Sequence, residues 1–455
     1  MLYEEHLSII DKKKEEIEKL TDALWDNPET SFEEHFACEL ITKKLEENGF
    51  TVTYNVSGMP TAFKATYGEG SPSLGILAEY DGLFGMSQEA GIAEKKAIDG
   101  KDKNHSCGHH LFAGGSLAAA LAVKDYIEKT GKGKITLFGC PAEEGGGGKV
   151  YMARDGVFSE VESIVSWHPE KMYMVRTRPA LANVRVDYTF EGIAAHAGGS
   201  PEKGRSALDA VELMNIGANF LREHMDLTSR VHYAILDAGG TAPNMVQSHA
   251  VVRYMIRATT AAAVTELKER IDRIAQGATL MTDTTVSSQV ISSMADLITI
   301  PTLQATANEA MHDIPVPVAT EEEIEFARKL QETMMLTDEE RQKPPFATEV
   351  FDPAPPVAHG GSTDTADVSW NCPTVQMHIA TWAIGTPGHS WHAEAQGKGT
   401  YAKKAMIYAG KCVAATILRL MENPELIKKA QEEHKQKIGK GYVCGLPKDL
   451  KPGIF

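Results

Sequence analysis

The sequence predicts an α/β layered protein with a ferredoxin-like α+β unit inserted into it. Three observations point there. Strand-like and helix-like segments alternate over residues 50–169 and resume after residue 373. Between them, residues 182–297 read in the order β-α-β-β-α-β, that of a split ferredoxin-like unit. Side chains able to ligate metals recur just past the ends of predicted strands, the edge where open α/β sheets bind ligands. The expected division is an α/β domain in two parts, residues 1–181 and 298–455, with the ferredoxin-like unit at 182–297 between them.

Taken in order, residues 4–24 place Ile9, Ile10, Ile17 and Leu20 on one side of an amphipathic helix. Residues 32–49 form a second, stopped by Gly49. Short strands follow at 50–55, 62–67 and 73–78, then a long alanine-rich helix over 111–131 and the strand KITLFGC. GGGGKVYMARDGVF reads as a glycine-rich turn into a short helix, and SIVSWHP as a strand. The inserted unit opens with ANVRVDYTFEG, which alternates like a half-buried strand. A helix over 206–225, strands at 231–240 and 249–259, a helix over 261–282 and a strand at 284–294 complete it. Residues 298–350 read as helical and polar, TVQMHIATWAIG as a strand, 403–421 as a helix, and KPGIF as a surface tail.

The bulk properties exclude several classes. The chain has 455 residues, 42% hydrophobic and 24% charged, the profile of an ordinary globular protein with a sizeable core. A net charge of −16 argues against a nucleic-acid backbone or an anionic membrane as partner, because both need clustered Lys and Arg. The charged N-terminal stretch has no apolar signal-peptide core, and no window approaches a membrane span. The six cysteines are scattered, so reduced thiols in a cytoplasmic protein are expected, and Cys107 is free to act as a ligand.

The chemistry-bearing fragments are NHSCGHHLFAGG, AEYDGL, PAEEGGGG, SWHPE and TPGHSWH. On the strand assignments above they bring Glu79, Asp81, Cys107, His109, Glu143, Glu144, His168 and His389 to one rim. Thiolate, imidazole and carboxylate together suit zinc and its neighbours. The set exceeds what one tetrahedral ion needs, which suggests two ions sharing ligands, a pair able to polarise a carbonyl and activate water. Such chemistry also needs a carboxylate to carry the proton, and the Glu143–Glu144 pair offers one base and one ligand. Each fragment alone has a plainer reading. Cys-x-His can be a buried thiol beside a turn histidine, paired glutamates are usually solvated, and Glu79-Tyr80-Asp81 can be a turn.

Together the fragments resemble the di-metal peptidase and aminoacylase family, metallopeptidase family twenty, subfamily D. SCGHH resembles its Cys-Gly-His motif and PAEEGG its Glu-Glu motif. FEGIAAHAGGSPEKGRSALDA and GGTAPNMVQSHAVVRYMIRA resemble its lid. AEYDGLFGMSQ, STDTADVSW and IGTPGHSWHAEAQGKG lean toward the p-aminobenzoyl-glutamate hydrolase B-type branch. The resemblance makes the two-part domain a three-layer α/β/α catalytic domain that binds two divalent ions, zinc or manganese, with cobalt also possible, and residues 182–297 a lid and dimerisation domain. It makes Cys107 the shared ligand, with His109 and His168 on one ion and Glu144 and His389 on the other. Glu143 would be the general base and Asp81 the residue that orients a ligand. In the lid, His196 would reach a partner subunit's active site to stabilise the oxyanion, while Asn244 and Arg257 would hold the substrate carboxylate. Arg257 could equally pair with an acid of its own sheet.

The implied activity is hydrolysis of the amide bond of N-acyl or N-aroyl amino acids, p-aminobenzoyl-glutamate-like, by a homodimer or by a chain needing a related second subunit. The alternatives are a dipeptidase or carboxypeptidase on short peptides, and a non-catalytic relative, which would be expected to lose its base or a ligand. The chain departs from the family pattern at His110, where relatives carry Asp or Asn, and at Glu79, which is not expected to ligate. His392 rivals His389, and His105 reads as a loop residue.

Overall fold

Three long helices carry the apolar faces that build one layer. Glu4–Asp26 buries Leu7, Ile10, Ile17, Leu20 and Leu24 at helical spacing. His109–Thr130 is buried through its middle on every side, as a helix enclosed between layers must be. Thr400–Glu422 lies against it so closely that a Cβ on Gly410 would sit 2.8 Å from that of Ala118. This computed structural model describes residues 3–352 and 361–453, so Ile454 and Phe455 of the tail lie outside the described residues.

The helices pack on an eight-stranded sheet. Its centre is parallel, in the spatial order Lys134–Cys140, Ser73–Glu79, Ser163–Glu170, Thr374–Ala380. These four strands are almost wholly buried, which explains why they read as apolar runs and not as alternating ones. Phe63–Gly68 and Thr51–Tyr54 extend one side antiparallel. Tyr173–Val175 and Val350–Phe351 extend the other. Parallelism puts the carboxyl ends of the central strands on one edge, and the site is built there.

The inserted unit has a core of its own. Its four antiparallel strands lie in the order Arg230–Asp237, His249–Ala258, Ala182–Glu191, Thr285–Met294. Helices Ala207–Leu221 and Ala261–Thr282, capped by Ser206 and Thr260, cover the face carrying Val184, Val186, Tyr188 and Phe190. The opposite face presents Asn183, Arg185, Met255 and Arg257 to the cavity described below.

Several expected bounds shift. The helix over 206–225 stops at Leu221 and continues as a short 3-10 turn. The strand at 374–385 ends at Ala380, because Thr381 and Trp382 donate their amides to Glu170 O. Residues 298–350 hold the helices Pro301–Asp313, Glu321–Glu332 and Asp338–Gln342, but also lead into the sheet strand Val350–Phe351. Among the described residues, no helix is long and apolar enough to cross a membrane.

Candidate metal centre and its cavity

Strand ends and one helix start deliver the donors. Cys107 precedes Gly108, whose φ of +80° turns the chain into the helix that begins at His109. Glu79 ends one parallel strand, and His168 lies near the end of the next. Glu143 and Glu144 follow the strand Lys134–Cys140, and His389 comes from the loop after Ala380.

The donor atoms fall into three groups, each within 4.8 Å: Cys107, His109 and His168; Cys107, Glu144 and His389; and Glu79, His109 and Glu143. The first two share the Cys107 sulfur, which gives two adjacent sites with one common ligand. Cys107 Sγ lies 3.7 Å from His168 Nε2, and His389 Nε2 lies 3.4 Å from Glu144 Oε1.

The surroundings aim these atoms. His109 Nδ1 donates to Asp81 Oδ1 at 2.8 Å, which turns Nε2 toward the donor group. The other Asp81 oxygen accepts from the Glu144 amide at 2.9 Å, so one carboxylate grips both halves of the centre. His168 Nδ1 donates to Pro169 O at 2.7 Å, again leaving Nε2 for a ligand. The loop carrying the two glutamates is pinned at Ala142, a non-glycine residue at φ +60°. That conformation costs about 1–2 kcal/mol and is held by Glu34, whose Oε1 accepts from the Ala142 amide at 2.9 Å.

The charges are poised for cations. Burial pushes the Cys107 thiol up, and neighbouring Glu144 adds to it. Burial also pushes the Glu143 carboxyl well above the carboxylate range, reinforced by Glu79, Asp364 and Glu144. Burial acts the same way on Glu144, but His389 and His109 outweigh it and hold the group near about 2. His109 is raised despite burial, because Cys107 and Asp81 stand against it. Three buried atoms, Glu79 Oε2, His109 Nε2 and Glu144 Oε1, make no well-aligned hydrogen bond among the described residues. Orphaned donors of this kind fit divalent ions, and the donor set is consistent with a dinuclear site.

The remaining candidates separate. His392 turns away, its Nε2 3.0 Å from Thr333 Oγ1, so the geometry places His389 and not His392 at Glu144. His110 donates to Gly397 O at 3.0 Å and does not face the donor groups. His105 is buried, its amide bonded to Glu394 Oε2 at 2.8 Å. Arg257 lines the cavity and donates to Ser362 Oγ at 2.9 Å. His196 and Asn244 do not line that cavity. They are exposed on the lid, where the His196 Nδ1 accepts from the amides of Gly198 and Gly199 and the Asn244 carbonyl accepts from Ala197.

Sequence reasoning missed two groups of residues. Lys149 and Asp364 are fully buried and form an ion pair at 2.6 Å directly behind Glu79. Arg176, Arg178 and Arg185 join Arg257 around the cavity of about 870 Å³ that contains Cys107, Glu143, Glu144, His168 and His389. The signal in the sequence for Arg176 and Arg178 is the density of RTR soon after SWHPE, and Arg185 has none.

Known proteins resemble this chain in sequence and in fold. The family model for peptidase family M20/M25/M40 matches residues 75–418. The B-type chain of p-aminobenzoyl-glutamate hydrolase from Escherichia coli is 39% identical over 466 residues, spanning 97% of each chain. The human Xaa-Arg dipeptidase is 27% identical, over 94% of this chain and 91% of its own. A dinuclear metal-binding M20 peptidase from Bacillus subtilis superposes with a TM-score of 0.60 at 17% identity, covering 90% of this chain and 99% of that one, and so shares the fold.

Proposed function

This chain belongs to peptidase family M20/M25/M40 and is a metal-dependent amidohydrolase, and from that premise we propose that it cleaves N-acyl or N-aroyl amino acids whose amino-acid half is acidic. The observation that carries this reading is the cavity wall. Four guanidiniums, those of Arg176, Arg178, Arg185 and Arg257, share one cavity with the donor groups, and guanidinium is the side chain best shaped to take a carboxylate. Met172, Met174, Met255, Met294 and Phe351 line the same space and suit an aromatic or alkyl acyl group. A dipeptide ending in arginine would meet like charge there, which favours the p-aminobenzoyl-glutamate type of relative over the Xaa-Arg dipeptidase type.

In this reading the bound ions supply Lewis acidity. The chain does the rest. Asp81 orients His109 and the Glu144 backbone, and Arg257 and Arg185 hold carboxylates. Glu143 takes a proton from the attacking water and returns it to the departing amine nitrogen. His196 sits outside its own cavity, which supports its action on the cavity of a second copy. A homodimer is further supported by the edge strand Arg230–Asp237, which exposes Tyr233, Ile235 and Leu236, and by Phe220, which is 73% exposed on the preceding helix. We assign the protein to the cytoplasm because its six cysteines are all unpaired.

The test is product release from a panel of p-aminobenzoyl-glutamate, other N-acyl amino acids and dipeptides, with manganese or zinc. Cleavage confined to acidic amino acids is expected. Preference for neutral or basic ones overturns the assignment, and failure on all of them by a chain with two ions bound points to a required second subunit. Arg185→Gln and Arg257→Gln should each raise KM for the acidic substrate by about 10–100-fold, the worth of a charged hydrogen bond, with a smaller change in kcat. In a second test, Phe220→Lys with Ile235→Lys should give a folded, metal-loaded monomer without turnover, read by light scattering and assay. An active monomer removes His196 from the mechanism.

A further inference from the structure

Behind the donor groups lies a dry charged triad that the reaction above does not use. Glu79, Lys149 and Asp364 are 1%, 0% and 0% exposed. Lys149 Nζ stands 2.6 Å from Asp364 Oδ1 and 2.7 Å from Glu79 Oε1, and the Lys149 amide donates to Asp364 Oδ2 at 3.0 Å. Asp364 therefore grips Lys149 at both ends of the residue, fixing the ammonium against one oxygen of Glu79. The other oxygen of Glu79 lies 3.1 Å from His109 Nε2, the nitrogen that Asp81 turns toward the donor group.

A simple salt-bridge staple between the sheet and the helix Gly148–Arg154 would need one acid for one base. This triad has two carboxylates for one ammonium, and its unbalanced side points at the donors. A buried charge left without a partner is strongly destabilising; here the excess falls on His109, 3.1 Å away, where a cation bound by that nitrogen would take it over. The same oxygen of Glu79 and the same His109 nitrogen are among the buried atoms lacking an aligned hydrogen bond.

We propose that Lys149, locked by Asp364, is a positioning residue for the metal centre: it sets Glu79 as a fixed carboxylate beside the metal-facing nitrogen of His109 and thereby strengthens one of the two ion sites. The inference rests on the dinuclear reading and adds to it a third carboxylate beyond Glu143 and Glu144. The site that contains His109 is the one affected. The site formed with Glu144 and His389 has no contact with the triad in the donor groups and should be indifferent to it.

The experiment is a metal titration of the full-length chain after chelation, read as ions bound per chain and as the affinity of each step. Wild type, Glu79→Gln, Lys149→Gln and the double variant are compared. Two ions on wild type is the expected baseline, and fewer than two overturns the dinuclear reading itself. Each single variant should weaken one step by about 10–100-fold, the range typical of residues supporting metal ligands, and leave the other step unchanged. The double variant should be no weaker than Glu79→Gln alone, because Lys149 acts through Glu79. Wild-type affinity in Glu79→Gln, equal losses in both steps, or penalties that multiply in the double variant would each overturn the proposal. Should Lys149→Gln fail to fold, the near-isosteric Asp364→Asn replaces it, with the same non-additivity against Glu79→Gln as the criterion.

Discussion

Glu143→Ala should lower kcat by about 100- to 10,000-fold, the contribution of a positioned general base, while both ions stay bound. The reason is its place. Glu143 belongs to neither of the two groups that share Cys107, yet it lines the substrate cavity one residue from Glu144, which does belong to one. Its carboxyl is pushed up by burial and by three neighbouring acids, so it has a strong affinity for a proton, and bound cations would draw it back toward the working range of a proton carrier. Steady-state rates alongside metal analysis decide the matter. If Glu143→Ala also empties a site, the base and ligand roles of the two glutamates are reversed. Glu144→Ala is the control, and it should lose one ion.

The largest effect on metal content is expected from Cys107→Ala. Each of the two groups has three donors and Cys107 is common to both, so one substitution removes a third of each set. Bound metal should fall from two ions per chain toward none at stoichiometric metal, and activity should fall with it. Changing Cys444, a half-buried thiol in no donor group, should alter neither. A Cys107→Ala chain that retains two ions would show that imidazoles and carboxylates suffice and that the sulfur is not shared.

Much of this was legible in the chain itself. The central strands announced themselves as apolar runs bounded by turns, and the lid as alternating strands around two amphipathic helices. The donor-rich fragments could be read because Glu144 and His389 follow strands of the parallel sheet, His168 lies near the end of one, and Cys107 and His109 open a helix at the same edge. Lys149 was not legible. A lysine in the first turn of a helix after four glycines looks solvated, and its burial is made tolerable by Glu79 and by Asp364, which arrives from more than two hundred residues away. STDTADVSW resembles a family marker, yet nothing local reveals that its Asp364 faces inward. Arg176, Arg178 and Arg185 were silent for the same reason. Arg185 lies on a lid strand and Arg176 and Arg178 in the segment leading to it, and whether they face bulk water or a cavity depends on where the lid rests, which local sequence does not encode.

The donor set is also divided in time. Cys107, His109, Glu144 and His168 leave the ribosome before the lid is made, whereas His389 follows it. The strand leading to His389, Thr374–Ala380, takes its place beside Ser163–Glu170 only after the whole lid has been synthesised. A chain that stops within the lid therefore lacks a donor of the Cys107, Glu144 and His389 group, while the three residues of the other group are already made. A polypeptide that ends before His389 cannot carry the full donor set.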